Sequence, residues 1–196
     1  MLRSVALLIL LCLGAPALAQ ERPATIRVVL QTAEGNILLE LEAARAPVTT
    51  ANFLRYVDAR RFDGIEFYRA MRTGPGTGLI QAGVNDARRL YPAIAHEPTT
   101  QTGLSHVDGA ISLARLGPGT GTAHFFITIG PMTGLDAGPN SGGDQLGFAV
   151  FGRVVEGMDV VRRVLAAPTS PTEGQGVMRG QMLAPKIRIT SARRVR

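Results

Sequence analysis

The 196-residue chain has no tryptophan, one cysteine and one lysine, and aromatic residues make up only 5% of it. Each scarcity excludes a class of chemistry. The cysteine, Cys12, lies in an N-terminal leader-like segment, so the rest of the chain has no disulfide, thiol nucleophile or thiolate metal ligand. His96, His106 and His124 lack the helical spacing of metal ligands, and no metal is expected. The formal net charge of +6 comes almost wholly from arginines, scattered except for Arg193, Arg194 and Arg196 at the end. A nucleic-acid surface needs a dense basic stripe interleaved with stacking aromatics, and neither is present. A weak attraction to anionic surfaces is the most this charge implies. Beyond the leader, no apolar run approaches the ~20 residues that span a bilayer, so the mature protein is expected to be soluble, without a membrane anchor.

The leader has a distinct signature. Arg3 supplies a minimal positive region, Val5 to Leu13 is apolar, and Ala17-Leu18-Ala19 is a small-x-small cleavage pattern. Residues 1–19 are therefore expected to be a signal peptide, removed after Ala19, giving a periplasmic or secreted protein. Leu11 stands before Cys12 where a lipidation site needs a small residue. Residues 20–196 then form one domain, long enough to bury roughly two-thirds of its unfolded surface.

Short β-type runs dominate this domain. Ile26–Gln31 and Ile37–Leu41 flank the hairpin signal Ala33-Glu34-Gly35-Asn36. Further strands are expected at Glu66–Met71, Leu79–Gly83, Ala110–Ala114, Phe125–Ile129, Phe148–Val154 and Ile187–Ser191. A helix over Pro47–Ala59 would bury Val48, Ala51, Leu54 and Val57, and a second over Met158–Leu165 stops before Pro168. Strands and helices do not alternate regularly, which argues against a parallel α/β sheet. A mainly β, closed antiparallel eight-stranded barrel capped by two α-helices fits the pattern.

Most catalytic motifs are missing. Gly-Pro-Gly-Thr-Gly occurs at 74–78 and 117–121, but neither copy continues into Gly-Lys-Ser/Thr or a helix, so loops beside a groove are expected instead of a phosphate cradle. Ser105, His106 and Asp108 lack the Gly-x-Ser-x-Gly elbow of a hydrolase. Among Asp63, Glu66, Asp86 and Glu97, nothing marks out a carboxylate pair. Arg69 is the anomaly. Strict alternation along its strand puts it on one face with Ile65, Phe67 and Met71, where an unpaired charge costs several kcal/mol. A strand-end arginine snorkelling to water, or held in an ion pair, is the bland alternative.

Several runs in order supply a context for Arg69. They are Phe67-Tyr68-Arg69, Leu79-Ile80-Gln81-Ala82-Gly83, Gly109-Ala110-Ile111-Ser112-Leu113-Ala114-Arg115, Phe125-Phe126, and Phe151-Gly152-Arg153-Val154-Val155-Glu156-Gly157-Met158. Together they resemble the cyclophilin family of peptidyl-prolyl cis-trans isomerases over nearly all of the mature chain. The run from Gly147 to Val160 is most similar to the bacterial exported branch. The resemblance implies that Arg69 donates toward the prolyl nitrogen, and that Gln81 holds Arg69 and contacts the substrate carbonyl. It implies that Phe126 floors a proline pocket walled by Leu79 and Leu135, and that the backbone of Ala114-Arg115 binds an extended peptide. His124 and Phe148 stand at further substrate-binding positions of the family. It implies no cofactor, proline-containing polypeptides as partners, and a monomer.

The chain departs from the family pattern at Gly78 and Gly134, where aromatic residues are frequent, at His124, where glutamine is frequent, and at Phe148, where histidine is frequent. Arg69 and Gln81 are about four residues further apart than usual, through Arg72-Thr73-Gly74-Pro75, and the Ala137–Leu146 loop is extended. Two readings follow: an isomerase for exported proteins, or a non-catalytic proline-peptide-binding or chaperone module on the same fold.

Overall fold

The computed structural model describes residues 24–195, so the expectations for the leader, its cleavage after Ala19 and Cys12 fall outside the described residues. Strands β1 (Ile26–Thr32) and β2 (Gly35–Leu41) form the expected hairpin, followed by helix α1 (Pro47–Asp58). Then come β3 (Glu66–Gly74), β4 (Thr77–Gly83), the one-turn helix α2 (Thr99–Thr102), β5 (Ala110–Leu113) and β6 (Phe125–Ile129). Strand β7 (Ala149–Glu156), helix α3 (Met158–Ala166), the two-residue β8 (Thr169–Ser170) and the long β9 (Met182–Arg194) complete the chain. The strands run in the order β1-β2-β7-β5-β6-β4-β3-β9, and β9 pairs back onto β1, closing an antiparallel barrel of eight, with β8 hydrogen bonded to β9 outside the ring. Closure leaves the barrel without a free edge.

The alternation of apolar residues explains what fills the interior. Val28 and Leu30, Ile37 and Leu39, Ile80 and Ala82, and Phe125 and Ile127 are all at most 1% exposed and belong to one core. Five of the seven phenylalanines meet inside: Phe53 contacts Phe62, Phe125 and Phe151 at centroid distances of 4.9, 5.3 and 5.3 Å, and Phe67 approaches Phe125 at 6.3 Å. The other two, Phe126 and Phe148, face outward.

Helix α1 corrects the expected face. Val48 and Ala51 are exposed, and the buried side chains are Thr49, Thr50, Asn52, Phe53, Leu54, Tyr56 and Val57. The large rings of Phe53 and Tyr56 bury more apolar area than valine and alanine, so they set the orientation. The last strand is also longer than expected, running from Met182 to Arg194 with Leu183, Ile187, Ile189 and Ala192 buried along it.

The start of α1 has no cap of its own, since Ala46 precedes it. Glu97, 3% exposed, supplies one from a distant loop: its carboxylate accepts from the backbone N–H groups of Val48 and Thr49 at 3.1 and 2.7 Å and from the Thr49 hydroxyl at 2.7 Å. This satisfies orphan donors with a charge that suits the positive end of the helix. Glu97→Ala is expected to destabilise the domain by about 3 kcal/mol, read from urea unfolding, and a loss below about 1 kcal/mol would contradict this role.

Candidate active site

The barrel interior is full, so a binding site must lie on its outer face. A cavity of about 590 Å³ opens there, against the outward residues of β3, β4 and β6. All nine sequence-predicted site residues line it: Arg69, Gln81, Phe126, Leu79, Ala114, Arg115, His124, Leu135 and Phe148.

Arg69 reaches this face through a β-bulge, which overturns the simple alternation. Phe67 pairs with Ala82, but the next pair is Arg69 with Gln81, leaving Tyr68 as the extra residue. The register against β9 also breaks between Phe67 and Arg69, there with the extra residues on β9. A bulge advances the chain by one residue without advancing its partner, so the faces exchange. Phe67 and Ala70 therefore point into the core, and Arg69 turns outward beside Gln81.

The guanidinium is half-buried, and burial lowers its pKa from the ordinary value. No carboxylate compensates it among the described residues. Neutral acceptors hold it instead: Nη1 donates to Gln81 Oε1 at 3.0 Å, Nε donates to Gln181 Oε1 at 2.9 Å, and Nη2 lies 3.5 Å from the Met71 sulfur. Gln181 is itself fixed, because its Nε2 donates to the Val177 carbonyl at 2.7 Å and its own carbonyl accepts from Ala70 N–H at 2.9 Å.

The four extra residues between Arg69 and Gln81 do not separate them. They lengthen the β3–β4 hairpin, which turns at Gly74–Thr77 and keeps Arg69 opposite Gln81. Gly78 has φ +146°, and a Cβ there would sit 2.0 Å from the Met71 carbonyl oxygen, so this backbone excludes an aromatic wall. Met71, opposite Leu79 across the hairpin, lines the cavity in its place.

Phe126, 4% exposed, forms an apolar floor. Phe148 meets it edge-on at 5.3 Å, and the His106 ring stacks against it at 5.7 Å with planes 9° apart. His106 is completely buried, and burial pushes its pKa down against the opposing pull of Asp136. A neutral ring donates from Nδ1 to Asp136 Oδ1 at 2.5 Å and accepts at Nε2 from the Ser112 hydroxyl at 3.0 Å. Asp136 also accepts from the Ser105 hydroxyl. The connectivity is that of a hydrolase triad, yet Ser112 is 0% exposed and cannot reach a substrate, so these residues brace the floor. Asp108, the acid adjacent in sequence, instead accepts from Gly130 N–H and pairs with Arg162.

The remaining wall is polar and tightly held. Arg115 grips Asp144 with two hydrogen bonds of 2.6 and 2.7 Å and the Gly147 carbonyl with a third at 2.8 Å, pinning the 137–146 loop. The guanidinium beside it holds the Asp144 carboxyl at about 2. The His124 ring is depressed by burial and hydrogen bonds through Nδ1 to the Tyr68 hydroxyl at 3.0 Å, which burial pushes up to about 12. Gly83 makes room for this ring, since a Cβ there would lie 2.3 Å from Nδ1.

The sequence reading missed Gln181, Met178, Met182 and Lys186, which reach the site from the far end of the chain. No periodicity links Gln181 to Arg69, 112 positions earlier. Tyr68 and Met71 were in view but lacked a signal; Met71 reaches this face only because of the bulge.

His106 and His124 are depressed in the folded protein, whereas an unfolded chain takes up those protons near pH ~6.5. The unfolded state then binds more protons as pH falls, so stability must fall with it. Unfolding free energy from urea titrations is expected to be level above about pH 7 and to decline from about pH 6.5 toward pH 5. A flat profile across that window would refute the assignment of neutral, buried rings.

Comparison with known proteins places this geometry. Residues 27–194 match the family model for cyclophilin type peptidyl-prolyl cis-trans isomerases. The chain is 31% identical over 173 residues to a peptidyl-prolyl cis-trans isomerase of Acinetobacter baylyi, covering 87% of this chain and 86% of that protein. It is 34% identical over 153 residues to the isomerase cyp18 of Streptomyces antibioticus, covering 75% and 87%. The crystal structure of a cyclophilin type isomerase of Cryptosporidium parvum superposes with a TM-score of 0.69 at 18% identity, covering 88% of this chain and 98% of that one. Fold, ordered motifs and relatives agree, and the chain belongs to the cyclophilin type peptidyl-prolyl cis-trans isomerase family.

Proposed function

We propose that this cyclophilin accelerates rotation about X-Pro peptide bonds in exported proteins, acting in the periplasm or outside the cell once residues 1–19 are removed. One observation carries the catalytic part of the reading: the Arg69 guanidinium, held by two glutamine carbonyls, borders a cavity floored by Phe126 and free of carboxylates. The exported setting and the bacterial exported branch rest on the leader pattern and on the run from Gly147 to Val160.

The chemistry needs no nucleophile, metal or cofactor. Resonance holds the amide planar with a barrier of about 18–20 kcal/mol. Uncatalysed rotation takes about 10–100 s, and reaching milliseconds requires roughly 5.5–7 kcal/mol of transition-state stabilisation. As the bond twists, the prolyl nitrogen regains its lone pair and becomes an acceptor for an Arg69 N–H. A hydrogen bond from a charged donor contributes about 1.5–3 kcal/mol, so the arginine cannot act alone. The proline ring would rest on Phe126 between Leu79 and Leu135, excluding water and strengthening that bond. Gln81 would orient Arg69 and meet the substrate carbonyl, and the backbone at Ala114 and Arg115 would hold the chain extended. Gln181 joins them as a positioning residue for Arg69.

The alternative, a proline-peptide-binding module without turnover, draws on Gly78, where the backbone excludes the aromatic wall, and on Gly134, whose surroundings are open. NMR exchange on a short X-Pro peptide separates the two readings. Wild type is expected to turn the peptide over and Arg69→Ala to lose most of the rate; equal rates would remove the catalytic role of Arg69. Arg69→Lys is also expected to lose most activity, because a point charge does not reproduce the planar fork. Gln181→Ala should lower kcat about tenfold with little change in KM, matching one lost hydrogen bond to the cation. The Arg69 Nε–H resonance should exchange faster with water in that variant. An unchanged kcat and resonance would show Gln181 to be structural only.

A further inference from the structure

The cavity that Arg69 borders includes a set of residues that the isomerase reading does not use. Met71, Met178 and Met182 line it, half of the six methionines in the chain. With them stands Lys186, the only lysine, exposed on β9. Three thioethers on flexible stems form an apolar wall that adapts to a long, unbranched side chain. A lysine covers apolar surface with its stem and leaves its ammonium in water at the rim.

Charge is unbalanced at the same place. Of the cations lining the cavity, Arg115 is neutralised by Asp144 at 2.6 Å. Arg69 and Lys186 form no ion pair among the described residues, and no aspartate or glutamate lines the cavity. In the isomerase reading Arg69, fixed by Gln81 and Gln181, is turned to the prolyl nitrogen, which leaves the Lys186 ammonium to meet an anion beside it. A concave surface with uncompensated charge of one sign attracts the other sign and selects against its own.

Resting on the isomerase reading, we propose that Met71, Met178, Met182 and Lys186 form a subsite for a glutamate adjacent to the client proline. The glutamate methylenes lie along the thioethers and the carboxylate meets the Lys186 ammonium. Aspartate is too short to use both features, and lysine or arginine at that position meets like charge.

The test uses the mature full-length protein and short peptides carrying Glu, Gln, Ala or Lys immediately before or immediately after the proline, with kcat/KM from NMR exchange. In wild type the glutamate peptide is expected to exceed its glutamine counterpart by about threefold or more on at least one flank, mainly through KM, with lysine lowest. Lys186→Glu should invert the Glu-to-Lys order. Raising salt to about 1 M, where the Debye length is about 3 Å, should collapse the preference in wild type. Glutamate and glutamine peptides within twofold on both flanks, or a Glu-to-Lys ratio unmoved by Lys186→Glu, would overturn the subsite while leaving the isomerase in place. Absence of turnover for every peptide, including Ala-Pro, would instead remove the reading on which the subsite rests.

Discussion

A single displaced residue in β3 determines where this protein keeps its charge. The closed barrel of eight strands fills its interior with aliphatic side chains and five phenylalanines. That interior has no place for a guanidinium, since desolvating one without a partner would cost several kcal/mol. The bulge at Tyr68 resolves the conflict inside one short strand: Phe67 and Ala70 still contribute to the core, while Arg69 turns out beside Gln81. The register against β9 breaks at the same point of β3, passing from Phe67–Ile187 to Arg69–Met182 with the extra residues on β9, and so brings Met182 opposite Arg69.

The way Arg69 is held suits the donor role proposed for it. A carboxylate partner would fix the fork but cancel its field where the twisted amide develops a lone pair. Gln81 and Gln181 fix it from two sides with neutral oxygens, leaving the charge uncompensated. The acids of the neighbourhood are occupied elsewhere: Asp144 by Arg115, Asp136 by His106 and Ser105, and Glu97 by the start of α1. The floor is treated with similar economy of charge, because the ring that backs Phe126 is a buried, neutral histidine.

Departures from the family motifs become readable through geometry. The longer spacing between Arg69 and Gln81 is absorbed as hairpin length, which leaves the pairing intact. Gly78 cannot carry a side chain at its φ, and Met71 lies across the hairpin in compensation. The extended 137–146 loop is tied down by Arg115, whose side chain therefore serves as a strap, apart from any role of its backbone with a peptide.

What the sequence by itself determined was whatever depends on short-range alternation and ordered motifs. Period-two patterns placed most strands, the absence of strand–helix alternation excluded a parallel sheet, and runs around Arg69, Gln81 and Phe126 marked one face of three neighbouring strands. Its failures have physical causes. The buried side of α1 was misjudged because ring area outweighs simple spacing, as Phe53 and Tyr56 show. The face of Arg69 was misjudged because a bulge leaves no mark in a composition where every residue suits a strand. Gln181, Met182 and Lys186 were invisible because only barrel closure brings a segment from the end of the chain beside β3. Local chemistry fixes what each strand can be; the tertiary structure alone decided which residues meet Arg69, because such contacts arise from closing the sheet and not from any interval along the chain.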